Sequence, residues 1–150
     1  MKILLEENSI LNDIEVLIRY GKNDKKVEEI YQLLQAMAFT IECTRDGRKK
    51  QVNLSDISYF EARGRKTTAV IDGLEYDTAL RLYQVLEKYA NIGFVQVNKY
   101  TILNINQLDS IVPLQNSKIE AHLKGGANIM VTRKYVVNIK DALSKGIGEN

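Results

Sequence analysis

The chain is poor in the residues that staple, kink or ligate. Its 150 residues include one cysteine (Cys43), one histidine (His122), one proline (Pro113) and no tryptophan. A lone cysteine rules out a disulfide within the chain, and with only one histidine beside it there is no Cys2His2-type zinc cage. No apolar run approaches the roughly 18 residues of a membrane-spanning helix. The start, MKILLEENS, turns acidic too early to hold the apolar core of a signal peptide. A cytoplasmic protein without a structural metal is expected.

Enzymatic signatures are missing as well. There is no Gly-x-x-x-x-Gly-Lys phosphate loop, no Gly-x-Gly-x-x-Gly after a strand and no His/Glu metal motif. Gly125-Gly126 lies between two β-like runs and reads as a hairpin turn. His122 alternates with Ala121 and Leu123 as a surface strand residue, and Cys43 sits in an apolar alternation as a small hydrophobe. Of the clustered carboxylates Glu61, Asp72, Glu75 and Asp77, Asp72 has turn chemistry and Asp77 could cap a helix. No catalytic residue, metal ligand or cofactor site is assigned.

What is present is an ordinary folded-protein composition, 45% hydrophobic and 27% charged, with an uneven distribution of charge. Residues 1–44 hold five cations against eight anions, net −3, whereas residues 45–68 and 118–140 are each net +4. An acidic front followed by two basic segments suggests an anionic partner for the later part.

Periodicity organises the chain. Residues 2–7 and 14–20 are rich in Ile, Leu and Val and flank turn formers, which predicts a strand pair. Asp24 is suited to cap a helix in which Val27, Ile30, Tyr31, Leu34 and Met37 recur every three or four residues. From Phe39 the period becomes two, and Asp46-Gly47 marks a tight hairpin. Residues 57–62 and 67–71 form the next pair, followed by an Asp72-Gly73 turn and a short strand at 74–76. A second helix is expected from near Thr78, ended by Asn91 and Gly93. Short strands then follow to about residue 132. Residues 136–143 fit helix or strand, and residues 146–150 are expected to fray. Many short strands with frequent turn signals indicate an antiparallel, mainly β architecture.

Three polar turn sites carry the functional argument: Arg63–Thr68, Asn98–Thr101 and Thr132–Tyr135. Each joins at least one cation to hydroxyl or amide donors, the combination that neutralises phosphates and addresses base edges. The expected DNA-contacting residues are Arg63, Arg65, Lys66, Thr67, Thr68, Asn98, Lys99, Tyr100, Arg133 and Lys134.

Four ordered blocks extend this reading. They are Asp56-Ile57-Ser58-Tyr59-Phe60-Glu61-Ala62 with its basic tip, Thr78-Ala79-Leu80-Arg81-Leu82-Tyr83, Phe94-Val95-Gln96-Val97-Asn98-Lys99 with Ile102-Leu103-Asn104, and Ile129-Met130-Val131-Thr132-Arg133-Lys134-Tyr135. Across residues 40 to 145 the chain resembles the LytTR DNA-binding domain of bacterial response regulators. The third block is similar to the family's Phe-x-Arg-x-His-Lys-Ser-Tyr-Ile-Val-Asn and the last to its Ile-x-Val-Ser-Arg-x-Tyr. Asn98 stands where the family usually has His, and Tyr100-Thr101 replaces Ser-Tyr.

The resemblance implies a compact antiparallel β domain of about ten strands with one short helix, whose loops enter successive major grooves of bent double-stranded DNA. It places base contacts at Lys66 or Thr67, Lys99 and Arg133, leaving Arg63 and Arg65 for phosphate. The preceding residues 1–39 are too few for a receiver domain. They are expected to form a strand–strand–helix extension that packs on the β domain or makes a dimer contact, as in short stand-alone members. By the same analogy, a homodimer or paired binding on repeated sites is expected, with a small membrane protein as a further partner. The competing expectation is a protein-interaction module that binds a membrane partner or another regulator and no longer binds DNA.

Overall fold

A computed structural model describes residues 1–22 and 24–144. The expected fray at residues 146–150 lies outside them. Helix α1 (Lys25–Ala38) opens on Asp24, whose carboxylate accepts the Val27 N–H at 3.1 Å. That is the N-cap the sequence suggests, and it satisfies one of the helix's orphan donors. Then come β1 (Thr40–Arg45), β2 (Arg48–Asn53), β3 (Tyr59–Arg63), β4 (Lys66–Ile71) and β5 (Leu74–Thr78). Helix α2 (Leu82–Tyr89) precedes β6 (Phe94–Asn98), β7 (Thr101–Asn104), β8 (Leu108–Pro113), β9 (Ile119–Leu123) and β10 (Asn128–Val131), and α3 (Val136–Ala142) follows.

The strands form a seven-stranded sheet in the order β2-β1-β5-β4-β3-β7-β6 and a three-stranded sheet in the order β10-β9-β8, every pairing antiparallel. Hairpin chemistry sets the registers. Asp46-Gly47 and Asp72-Gly73 each place both residues at positive φ, as a two-residue type I′ turn requires. The β9–β10 turn closes through Gly126, whose N–H donates to the Leu123 carbonyl at 2.9 Å.

Side-chain alternation divides the core in two. On one face of the large sheet Phe60, Ala69, Phe94 and Ile102 pack with Leu54, Ile57, Val85 and Ala36 under α1 and α2. On the other, Val97 and Leu103 pack with Ile119, Ala121, Val131 and Ile139 from the small sheet and α3. Ile102 and Leu103, neighbours in β7, therefore enter opposite cores, and both are fully buried. Phe60 and Phe94 meet with ring centroids 5.5 Å apart and planes tilted by 59°. Burying a side chain the size of Phe60 stabilises by about 1.5–3 kcal/mol. Buried Asn104 is satisfied: its amide donates to the Ile57 carbonyl at 3.0 Å and its Oδ1 accepts the Asn106 N–H at 3.0 Å.

Several expectations are corrected. The strands expected at residues 2–7 and 14–20 are not formed; these segments run exposed, without a ladder partner among the described residues. Two short strands alone are marginal in water, and no edge of either sheet takes them up. The second helix starts at Leu82, because Thr67-Thr68 hold residues as far as Thr78 in a ladder. Asp77 accordingly lies in β5 and caps nothing. The third polar site is a single 3-10 turn (Arg133–Tyr135) leading into α3, so among the described residues the domain carries two α-helices rather than one. His122 is half-buried in β9 with Nε2 2.6 Å from Glu120 Oε1. Cys43 is buried, as its alternation implied.

Candidate nucleic-acid interface

The three polar sites are physically joined. At the first, β3 and β4 close from Arg63 to Lys66 through Gly64, whose φ of 61° is the positive value a tight hairpin needs at that position. At the second, between β6 and β7, Asn98 Oδ1 accepts the Tyr100 N–H at 2.9 Å and folds the turn on itself. Its Nδ2 donates to the Met130 carbonyl of β10 at 2.9 Å. The Thr132 N–H donates to the Val97 carbonyl at 3.1 Å, fixing the start of the third site against β6. On the other flank the Ala62 N–H donates to the Tyr100 carbonyl at 2.8 Å. The middle turn is thus hydrogen-bonded to the elements that carry both neighbours, and Glu61, Asn98, Lys99, Tyr100, Thr132 and Tyr135 line a groove between them.

Charge on this side is unequal. Arg65, Lys66, Lys99, Arg133 and Lys134 are exposed and make no ion pair among the described residues. Lys99 Nζ lies 5.6 Å from the Tyr100 ring centroid, and Lys134 Nζ 5.6 Å from that of Tyr135. Each aromatic face steadies a cation and leaves its ammonium in solvent. Arg63 is different. Its guanidinium bonds Glu61 at 2.7 Å and approaches Glu75 at 3.2 Å. The hydrogen bond to Glu61, then the two carboxylate charges, hold its pKa above the ordinary arginine value. Burial, then the same carboxylates, push the Tyr59 hydroxyl upward as well.

Of the ten residues expected to contact DNA, the structure brings Arg65, Lys66, Lys99, Tyr100, Arg133 and Lys134 to exposed positions on the joined turns. Thr67 and Thr68 are buried inside the sheet, paired with both β3 and β5; the Thr68 hydroxyl donates to the Glu61 carbonyl at 3.4 Å. Arg63 is neutralised by two carboxylates, and both ends of the Asn98 amide are engaged within the protein. Arg81 was missed. It precedes α2, its guanidinium donates to the Arg65 carbonyl at 3.2 Å, and it shares a cleft with Arg65, Lys66 and Asp77. The signal available for it was the block Thr78–Tyr83, which contains Arg81 but says nothing of its distance from the hairpin tip.

No group of three or more His, Cys, Asp or Glu side chains could hold a metal among the described residues, and no helix among them is long and apolar enough to cross a membrane. The family model of the LytTr DNA-binding domain matches residues 47–144. The chain belongs to the LytTR DNA-binding domain family.

An uncharacterised HTH-type transcriptional regulator of Staphylococcus aureus (strain NCTC 8325 / PS 47) is 29% identical over 93 residues, covering 62% of this chain and 63% of that protein. A counterpart in strain MRSA252 is 28% identical over the same length. The chain thus spans under two thirds of the length of these curated relatives. Among solved structures, the LytTr DNA-binding domain of a protein described as a methyl-accepting/DNA response regulator from Bacillus cereus superposes with a TM-score of 0.65. It is 19% identical and covers 69% of this chain and 95% of that one, a likeness of fold. Among the described residues of the LytTR-type chain no two α-helices are joined by a short turn.

Proposed function

We propose that this chain is a sequence-specific double-stranded DNA-binding transcription regulator of the cytoplasm that acts in pairs. Its middle and outer turns enter the major groove. What supports this most is the hydrogen-bonded row of three cationic sites, joined by Ala62 N–H to Tyr100 O, Asn98 to Met130 O, and Thr132 N–H to Val97 O. Groups fixed to one another by backbone bonds can meet a rigid duplex without further ordering cost.

Within that row Lys66, Lys99 and Arg133 are the base-facing residues, and Arg65, Arg81 and Lys134 serve phosphates. Asn98 is a positioning residue: with its amide committed at both ends, it sets the middle turn relative to β10 instead of reading a base. Tyr100, exposed beside Lys99, offers a ring and hydroxyl at the same edge. Arg63 contributes little, because Glu61 and Glu75 already satisfy its charge.

Selection of bound fragments from fragmented genomic DNA, followed by a mobility shift on the enriched fragment, tests the proposal. Enrichment of a shared short motif supports it. Uniform recovery of all fragments, with salt-insensitive capture of a protein instead, favours the protein-interaction module.

A further inference from the structure

The least satisfied part of the molecule is its N-terminal arm. Leu5 is 98% exposed, Ile14 86% and Leu17 76%, and Ile3, Leu4, Ile10, Val16 and Tyr20 are also largely in solvent. The arm is locally shaped. The Leu11 N–H donates to the Asn8 carbonyl at 3.1 Å, the Ile10 N–H to Asn8 Oδ1 at 3.1 Å, and the Ile14 N–H to Asp13 Oδ1 at 2.7 Å. After this turn Ile14–Tyr20 lies without a ladder partner among the described residues. A run of Ile, Val, Leu and Tyr with open backbone donors and acceptors is a strand awaiting a partner.

The sequence of this run is complementary to itself. Two copies placed antiparallel about a twofold axis through Leu17 set Ile14 opposite Tyr20 and Val16 opposite Ile18, all on one face. The other face sets Glu15 opposite Arg19, twice, with Leu17 against its own copy between them. Apolar residues meet apolar residues and each carboxylate meets a guanidinium, as favourable cross-strand pairing requires. A one-residue shift would set Glu15 opposite Tyr20 and Val16 opposite Arg19, undoing both the apolar and the charge match. Isologous pairing is also the commonest symmetry of homodimers.

We infer that Ile14–Tyr20 is a dimerisation strand whose partner is the same segment of a second copy of this chain. The apolar face of the resulting ribbon needs cover, and exposed Leu33 and Met37, one turn apart on the adjoining α1, offer it. The pairing rests on the paired-DNA reading for its role. Two domains joined by their arms raise each other's effective concentration at neighbouring sites.

The test contains no DNA, so the two readings can fail separately. Sedimentation equilibrium of the full chain gives the monomer–dimer constant. Glu15→Arg and Arg19→Glu each weaken dimerisation about tenfold, because every substitution breaks two pairs and creates two repulsions; the double reversal restores it. Leu17→Cys yields a disulfide-linked dimer under mild oxidation. Glu15→Cys does not, its two sulfurs lying about 13 Å apart at the strand rise per residue. Unchanged thermal unfolding of the monomer shows that the domain is intact. A wild-type monomer at tens of micromolar, equal cross-linking of both cysteine variants, failure of the double reversal to rescue, or arm-dependent binding to phosphatidylcholine vesicles without dimerisation would each overturn the inference.

Discussion

The arm and the β domain use the same apolar vocabulary to opposite ends. Ile14, Val16 and Leu17 stand in solvent, whereas Ile102, Leu103 and Val97 are fully buried, though both segments are short, β-rich and bounded by polar residues. The difference is partners. β7 lies between β3 and β6 and receives a hydrogen-bonded neighbour on each side, with a core on each face. The arm has neither among the described residues. Strand propensity is therefore a statement about what a segment can join, and the join decides burial.

The largest effect expected from this contrast is on stability. Phe60→Ala empties the centre of the core beneath α2 and costs about 3–5 kcal/mol, read from the denaturant midpoint. Leu5→Ala, on the arm, changes the same quantity of the monomer by less than about 0.5 kcal/mol. Comparable losses at both positions would mean that the arm is packed on the domain in solution.

The same contrast runs, at smaller scale, through the side proposed to face DNA. Arg133 and Arg63 are both arginines at turn sites, but one is unpaired and the other held by Glu61 and Glu75. Arg133→Ala is expected to weaken specific binding by about 1–3 kcal/mol, the cost of losing a base contact. Arg63→Ala should weaken binding much less, since its guanidinium is already shared between Glu61 and Glu75. Competition binding on the selected site separates the two.

A subtler difference concerns Cys43. Burial, with a further contribution from Glu42, raises its thiol from 9.0 to about 11. The unfolded thiol ionises first, so the unfolded chain binds fewer protons than the native one between these values. Stability contributed by the neutral buried thiol is thus fully present below pH 9, falls as pH rises towards 11 and levels off above it. Cys43→Ala should remove that part of the pH dependence. Native Cys43 should also resist iodoacetamide at pH 8 until the chain is unfolded.

Much of the domain was legible in the sequence. Asp46-Gly47 and Asp72-Gly73 gave their hairpins because few residue pairs tolerate two positive φ angles, and Asp24 marked its helix by capping it. The alternation around Phe60 and Ile102 revealed strands, and four motif blocks pointed to the family. The site was legible only as three polar turns. That Thr67 and Thr68 would be buried depended on β5 pairing with β4, and that Arg63 would be neutralised depended on Glu75 arriving from β5 beside it. That the Asn98 amide would bond the Met130 carbonyl depended on β10 lying beside the middle turn, which local sequence cannot show. The arm failed for the converse reason: its strand pattern is present, but it has no ladder partner among the described residues.

The central claim is that one face, made of three joined turns, binds DNA, and it is most directly tested by the Lys66→Ala, Lys99→Ala, Arg133→Ala triple variant. All three side chains are exposed, so the fold should survive their loss. Affinity for the selected site, measured across a salt series, should fall at least a hundredfold, while the slope of log affinity against log salt, which the phosphate contacts of Arg65, Arg81 and Lys134 set, should change much less. Affinity for the selected site equal to that of the native chain would contradict the account.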